Sequence, residues 1–259
     1  MADFLKLITK LTTEEKIDRA KQLVARILDH SRHLLRIHYS NRELNYSDKI
    51  SRQVPSSYAA HTFNLLRVTQ YRFEIMRLSA LWDDPRENRE SIPTLLEFIR
   101  DIEVRDELQR LCAAHWERQS NRPILIGENV DEIEAQSIRE SISNNEIEFG
   151  RIEAAKSRRR LELGVKAADL LKNSKRIHAI KDFRHTRLAH NLGESAAKIS
   201  PHERAKYGDE RFVLDRTLHI VSCLNLGIRG ASFEWDKSRK IAERYAVAFW
   251  GGVNLNVLE

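Results

Sequence analysis

Glycine and proline are scarce in this sequence, and that scarcity constrains the fold more than any other feature. The 259 residues contain only 9 glycines and 5 prolines. A fold with many β-strands needs turn residues at intervals of about 8–12 residues, and this chain does not supply them. The sequence therefore predicts an all-α protein of about seven to nine helices that are joined by short loops.

The first part of the chain contains two long helix patterns. Thr12 or Thr13 is suited to cap the first helix, and Glu15 follows in its first turn. The second helix is predicted to begin after Pro55. Its apolar residues recur at helical spacing and predict one buried stripe. The stripe is widened by Phe73 and Met76. Its main members are Phe63, Leu66, Tyr71, Ile75, Leu78 and Leu81.

The rest of the chain continues the helical pattern. Residues 130–175 are predicted to be helical, but Gly150 and Gly164 are expected to bend or split the segment. The reason is that glycine costs about 1 kcal/mol relative to alanine inside a helix. Two further helices are predicted in residues 210–230 and 233–250.

The composition allows a nucleic-acid partner without requiring one. The formal net charge is +6 and the pI is about 9.3. Thirty of the 44 basic residues are arginine, whose planar guanidinium group can bind two phosphate oxygens at once. Because 38 acidic residues are interspersed with them, a helical protein with arginine on its solvated faces explains the composition equally well.

Length, cysteine content and hydropathy bound the class of protein. We expect residues 1–259 to form a single all-α domain, with residues 1–40 as an N-terminal helical extension. Cys112 and Cys223 do not form a CxxC pair, which argues against a disulfide framework or a cysteine zinc site. No run of about 18 apolar residues and no signal-peptide core is present, so we expect a cytoplasmic protein without a membrane segment.

The stretch FRHTRLAHNL, residues 183–192, is the densest group of chemically useful side chains. On a regular helix Arg184 and His190 differ by about 120°, so one straight copy does not bring them together. Arg187 and His190 are at i and i+3 and do share a face. A solvated helix end explains the stretch as well, because cations are favourable near a helix C-terminus.

The same residue types suit RNA cleavage. A base takes the proton of the ribose 2′-OH, an acid protonates the leaving 5′-oxygen, and a cation stabilises the charge on the phosphorus centre. Histidine transfers protons near neutral pH, and arginine binds phosphate oxygens, so no metal is required. A two-fold dimer would pool two arginines and two histidines in one cleft.

The segment RHTRLAHN resembles the R-x4–6-H motif of HEPN ribonucleases. Arg184 matches the arginine, His185 the polar residue that follows it, and His190 the histidine. The upstream segment YRFEIMRLSALWDDPRENRESIPTLLEFIRD is similar to the AbiU-like branch of that superfamily, which is named for abortive-infection phage defence. The resemblance covers roughly residues 40–230.

The resemblance implies an all-α, HEPN-like helical bundle with additional N- and C-terminal helices. It also implies a homodimer whose two motifs face a composite cleft, and a metal-independent endoribonuclease without a cofactor. An antitoxin or a nucleotidyltransferase is a further expected partner. Some relatives end the motif in His-x-Tyr, which the nucleotidyltransferase modifies; here Leu192 replaces that tyrosine, so the modification is not expected.

Within this motif, the resemblance gives each residue a role. His190 is the expected general acid or base and Arg184 the phosphate-binding cation. Helix geometry instead favours Arg187 as the cation, so we assign Arg187 a supporting role. The remaining supporting residues position the RNA or the catalytic groups, and they are His185, Asn191 and Asp182.

Several other groups of residues are candidates for a functional role. Arg158, Arg159 and Arg160 could bind an RNA backbone, or could pair with neighbouring glutamates on a solvated helix. The histidines of the segment DHSRHLLRIHY do not match a metal motif and are interpreted as surface residues: His30, His33 and His38. The segment LWDD is interpreted as structural, with a core tryptophan and helix-terminating aspartates: Trp82, Asp83 and Asp84.

Two other classes of function stay open. One is a non-catalytic helical dimer that binds RNA, a nucleotide or a protein. The other is a metal-dependent hydrolase that uses the scattered histidines and aspartates.

Overall fold

The computed structural model describes residues 2–54, 58–120, 131–185, 206 and 208–255. These ranges contain helices and no β-strand, which confirms the all-α prediction. In the same ranges, none of the helices is long and apolar enough to cross a lipid bilayer. The ten helices described are α1 (Ala2–Ile8), α2 (Thr13–Tyr46), α3 (Asp48–Ser51), α4 (Tyr58–Ala80), α5 (Ile92–Ile99), α6 (Ile102–Ser120), α7 (Glu132–Lys172), α8 (Lys175–Phe183), α9 (Asp209–Arg229) and α10 (Trp235–Gly252).

Helix α2 begins at a capping box, which selects Thr12 as the N-cap. The Thr12 hydroxyl accepts a hydrogen bond from the Glu15 amide at 3.2 Å, and the Glu15 carboxylate accepts one from the Thr12 amide at 2.8 Å. The second bond lowers the pKa of Glu15. From this start α2 runs for 34 residues, about 50 Å, and contacts α4, α5, α9 and α10. It therefore lies inside the bundle and contributes to its core.

Trp82 anchors the end of α4 in the core, as the sequence predicts for this residue. It is 1 % exposed, and its indole N–H donates to the Thr217 hydroxyl of α9 at 2.9 Å. A buried indole N–H without a partner would be costly, so this bond fixes the chain directly after α4 relative to α9.

Helix α7 is continuous, so the expected split at Gly150 or Gly164 is wrong. A Cβ atom at Gly150 would lie 2.6 Å from the Trp116 Cβ of α6, and one at Gly164 would lie 3.0 Å from the Cys223 Cβ of α9. These glycines allow the neighbouring helices to approach closely. Their packing outweighs the low helix propensity that suggested a break.

Helix α4 has apolar residues on two faces, which corrects the prediction of a single buried stripe. Ile75 and Leu78 face the core, but Leu66 and other predicted members are exposed. Val68 is exposed to one side, and the other exposed apolar residues fall within about 100° of arc on a regular helix. We call this set the outer face of α4, and it consists of Tyr58, Leu65, Leu66, Phe73 and Met76.

Candidate functional site

Helix α8 presents the first residues of the motif. It starts at Ser174, whose hydroxyl accepts from the Ile177 amide at 3.4 Å, and it buries Ile177 and Ile180 against the core. At its end the Arg184 amide bonds to two successive carbonyls, and residues 184–185 continue in a wider, π-type turn. At Arg184 and His185 the backbone therefore departs from the regular turn of about 100° per residue.

Only part of the predicted site falls within the described residues. Asp182 and His185 are exposed on either side of Arg184. Arg187, His190 and Asn191 lie outside the described residues, so the roles expected for them remain predictions.

Asp83 and Arg184 form an ion pair that joins α8 to the chain after α4. The Asp83 Oδ1 atom lies 2.7 Å from the Arg184 Nη2 atom, and the Asp83 side chain is only 8 % exposed. Arg89 donates a second hydrogen bond to the same carboxylate. The neighbouring Asp84 lies 3.4 Å from the Lys181 ammonium. The aspartates therefore hold the end of α8, instead of simply terminating α4 as the sequence suggested.

The loop that carries Asp83 is closed by its own hydrogen bonds. The Ile92 amide donates to the Leu81 carbonyl at 2.8 Å, and the Ser91 hydroxyl donates to the Asp83 carbonyl at 3.0 Å. Ser91 is fully buried. Because both ends of the loop are tied together, the Asp83 carboxylate has a fixed position when it meets Arg184.

His30 lies beside this ion pair and is hydrogen-bonded at both ring nitrogens. Its Nε2 atom is 2.5 Å from the Glu90 Oε2 atom, and its Nδ1 atom is 3.2 Å from the Arg77 Nη2 atom. Since arginine only donates, Nδ1 accepts and Nε2 carries the proton that is donated to Glu90. His30 thus stays partly exposed, as a surface histidine would, but it also makes two hydrogen bonds to other segments, whereas His33 is exposed as expected.

A small polar cavity connects His30 to the Asp83 ion pair. Its volume is about 160 Å³. Arg26 approaches Glu90 at 3.3 Å from the α2 side. The wall of the cavity is formed by α2, the end of α4 and the loop that follows α4. Its residues include His30, Arg77, Asp83, Asn88, Arg89 and Glu90. The sequence could not show this group, because His30 and Glu90 are 60 residues apart.

A second polar cavity, about 480 Å³ in volume, lies farther along α2 and α4. The buried carboxylate of Glu74 accepts from His38 and from Asn41, both at 2.7 Å. Burial raises the pKa of Glu210, and the nearby charge of Glu74 raises it further. The Tyr71 hydroxyl donates to Glu210 at 3.4 Å. His38 is thus part of a buried network, which corrects its interpretation as a surface residue.

No group of three or more histidine, cysteine, aspartate or glutamate side chains in the described ranges is arranged to hold a metal ion. In the two cavities each histidine instead meets one carboxylate.

The three consecutive arginines of α7 have different surroundings. Arg158 is only 13 % exposed and pairs with Asp106 at 2.8 Å and with Glu162 at 2.7 Å. Its hydrogen bond lowers the pKa of Glu162. Arg159 and Arg160 are exposed. Contact with an RNA backbone is therefore easier for the second and third arginines than for the first.

The helical bundle, together with the Arg184-His185-x4-His190 pattern at the end of α8, defines a HEPN-type domain. The family model for AbiU2 HEPN domains matches residues 13–249, and the chain belongs to this family. The match begins with α2, so it extends beyond the region in which the sequence alone suggested a resemblance. Neither the curated proteins nor the solved structures yield a match.

Proposed function

We propose that this protein is a metal-independent endoribonuclease of the HEPN type that acts in abortive infection or as a toxin. The observation that carries the proposal is the fixed position of Arg184. A buried carboxylate binds its guanidinium, yet 30 % of the arginine side chain stays exposed. A guanidinium held in this way still has N–H groups that can donate to phosphate oxygens. Because its position is already fixed, RNA binding does not have to restrict its motion further.

The proposed reaction is attack of a ribose 2′-oxygen on the adjacent phosphorus. Arg184 stabilises the negative charge that develops on the phosphate oxygens. His190 transfers protons as general acid or base, while Arg187, His185 and Asn191 position the RNA. The expected products are a 2′,3′-cyclic phosphate and a free 5′-hydroxyl.

The outer face of α4 supports the homodimer part of the proposal. Its five large apolar side chains are exposed, and large exposed apolar patches mark interaction sites. Arg77 follows Met76 of that face directly and lines the cavity next to Asp83. Two copies that meet through α4 would therefore bring their two sites close together, which suits a composite cleft.

The exposed arginines of α7 suit a path for the RNA backbone. Arg159 and Arg160 can bind RNA phosphates, and so displace their counterions, without breaking a buried ion pair. Arg158 instead stabilises the contact between α6 and α7.

The proposal is tested by incubating purified protein with total cellular RNA in the presence of a chelator. We expect cleavage by the wild type, and a loss of about 10²–10⁴-fold in His190→Ala, the usual contribution of a proton-transfer group. Arg184→Ala should lose activity comparably. His33→Ala is the matched control, because His33 is an exposed histidine on α2.

Cleavage by folded His190→Ala at the wild-type rate would contradict the proposal. Binding of RNA by the wild type without cleavage would favour a non-catalytic binding module. Activity that disappears in chelator would favour a metal-dependent hydrolase.

A further inference from the structure

We propose that His30, oriented by Glu90, is a second proton-transfer group of this site and that Arg77 blocks it until RNA binds. This inference rests on the proposed function and deepens it. RNA cleavage by 2′-OH attack needs a base and an acid, and a group outside the motif could serve as the base beside His190. His30 lies on α2, outside the motif, and shares a cavity wall with Asp83, the residue that binds Arg184.

The contact between His30 and Glu90 has the geometry of an oriented base. Glu90 accepts the Nε2 proton at 2.5 Å, which fixes the tautomer and the direction of the ring. The opposite nitrogen, Nδ1, then carries the lone pair that can accept a proton. A carboxylate placed in this way also stabilises the imidazolium that forms on proton transfer. The His30 side chain is 33 % exposed, so a substrate hydroxyl can reach it.

In the structure the lone pair of Nδ1 already accepts a hydrogen bond. Arg77 Nη2 donates to it at 3.2 Å. A phosphate oxygen is charged and accepts a stronger hydrogen bond than a neutral imidazole does. When a phosphate enters the cavity, Arg77 therefore moves from His30 to that phosphate, and Nδ1 becomes available as a base.

The cavity has the size and the surroundings for one phosphate group. Its volume of about 160 Å³ is well above the roughly 10–15 Å³ that one water needs, so a phosphate group can enter. Arg77 and Arg89 line it. Asp83 and Glu90 balance these charges, because each carboxylate binds an arginine or a histidine.

The reaction balances with these groups. The 2′-OH proton passes to His30 Nδ1 while the bond from the 2′-oxygen to phosphorus forms. The bond from phosphorus to the 5′-oxygen breaks, and the leaving oxygen takes a proton from His190, the acid of the proposed function. His30 then releases its proton to water and His190 regains one, so no oxidant or reductant is needed.

The experiment measures single-turnover cleavage of the RNA fragment that the wild type cuts fastest. We expect His30→Ala to lower the rate about 10²–10⁴-fold, with unchanged RNA affinity. His33→Ala, three residues away on the same helix, should cleave at the wild-type rate. Added imidazole should restore cleavage by His30→Ala, and among substituted imidazoles the restored rate should rise with the basicity of the added base.

The failure of this inference differs from the failure of the proposed function. If His190→Ala is inactive but His30→Ala matches His33→Ala, the role of His30 is overturned and the ribonuclease proposal stands. A slow, folded His30→Ala that no imidazole restores also overturns it. If His30→Ala does not fold, His30→Gln is measured instead, because the glutamine amide can still donate to Glu90. Wild-type activity in His30→Gln overturns the proposal. A wild type that cleaves no RNA overturns both.

Discussion

The carboxylate of Asp83 lies 2.7 Å from the guanidinium of Arg184 and connects the two stretches of sequence that point to the same family. One stretch is the LWDD segment after α4, and the other is the arginine–histidine motif at the end of α8. About 100 residues separate them in the chain, and the bundle brings them into contact. The LWDD segment is therefore part of the site through its effect on Arg184.

The first prediction follows from this ion pair. Asp83→Asn should lower RNA cleavage by about 100-fold, because a displacement of about 1 Å in a catalytic group has an effect of that size. The asparagine keeps the shape of the side chain but removes the charge that holds Arg184 and Arg89. Single-turnover rates measure the effect, and circular dichroism checks the fold.

Asp84→Asn provides the matched control for that substitution. Asp84 is exposed, and its contact with Lys181 is longer, at 3.4 Å. Exposed ion pairs contribute little, so its effect should stay within about threefold. Equal losses in the two variants would show that the Asp83 carboxylate does not position Arg184.

The second prediction concerns the outer face of α4. Leu65→Glu places a charge in the middle of the exposed apolar set, so a dimer that buries this face should dissociate. Sedimentation velocity should show a dimer for the wild type and a monomer for the variant. Leu170→Glu on α7 is the control, since Leu170 is also exposed but lies on another helix. Dimers in both variants would exclude α4 as the interface.

The third prediction is a pH dependence at Glu210. Burial raises its pKa above the ordinary value of 4.5, so the folded protein binds this proton more tightly than the unfolded chain does. The free energy of unfolding therefore falls as the pH rises from 4.5 through the raised pKa. Glu210→Gln should therefore raise the Tm at neutral pH by about 2–4 °C, the shift that about 1 kcal/mol produces in a domain of this size.

That gain should shrink as the pH falls toward 4.5, because more of the wild-type carboxyl is then protonated. Thermal melts of both proteins across this range provide the measurement. The exposed Glu234→Gln is the control and should not change the Tm by more than about 1 °C. A gain for Glu210→Gln that does not depend on pH would point to packing instead of charge.

The fourth prediction reverses the usual effect of replacing glycine by alanine in a helix. A Cβ atom at Gly227 of α9 would lie 2.6 Å from the Leu161 Cβ of α7, so Gly227→Ala should destabilise the protein by about 1–3 kcal/mol. Gly251→Ala meets nothing within 4 Å in α10 and should be neutral or slightly stabilising. Urea unfolding compares the two, and a stabilising effect at Gly227 would show that the helices can separate without cost.

The sequence was informative where the physics is local. The capping box at Thr12 and the burial of Trp82 follow from short-range patterns, and both appear in the structure. The scarcity of glycine and proline correctly predicted an all-helical chain. Very short helices such as α3 carry too little periodicity to be recognised, which explains why the expected number was too low.

The sequence was misleading where long-range packing decides the outcome. Gly164 suggested a break in α7, but the close approach of α9 makes glycine the residue that fits. The two hydrogen bonds of His30 could not be predicted, because its partners, Arg77 and Glu90, come from other parts of the chain. Periodicity also marked Leu66 as buried, because an apolar face that stays exposed has the same pattern as one that enters the core.

The contact between Leu161 and Gly227 also has a consequence for how this family can vary. The two positions share a fixed volume between α7 and α9, so a larger side chain at one requires a smaller one at the other. Relatives with alanine or serine at position 227 should carry a shorter residue at position 161. This exchange of sizes would appear as covariation between two positions that never touch RNA.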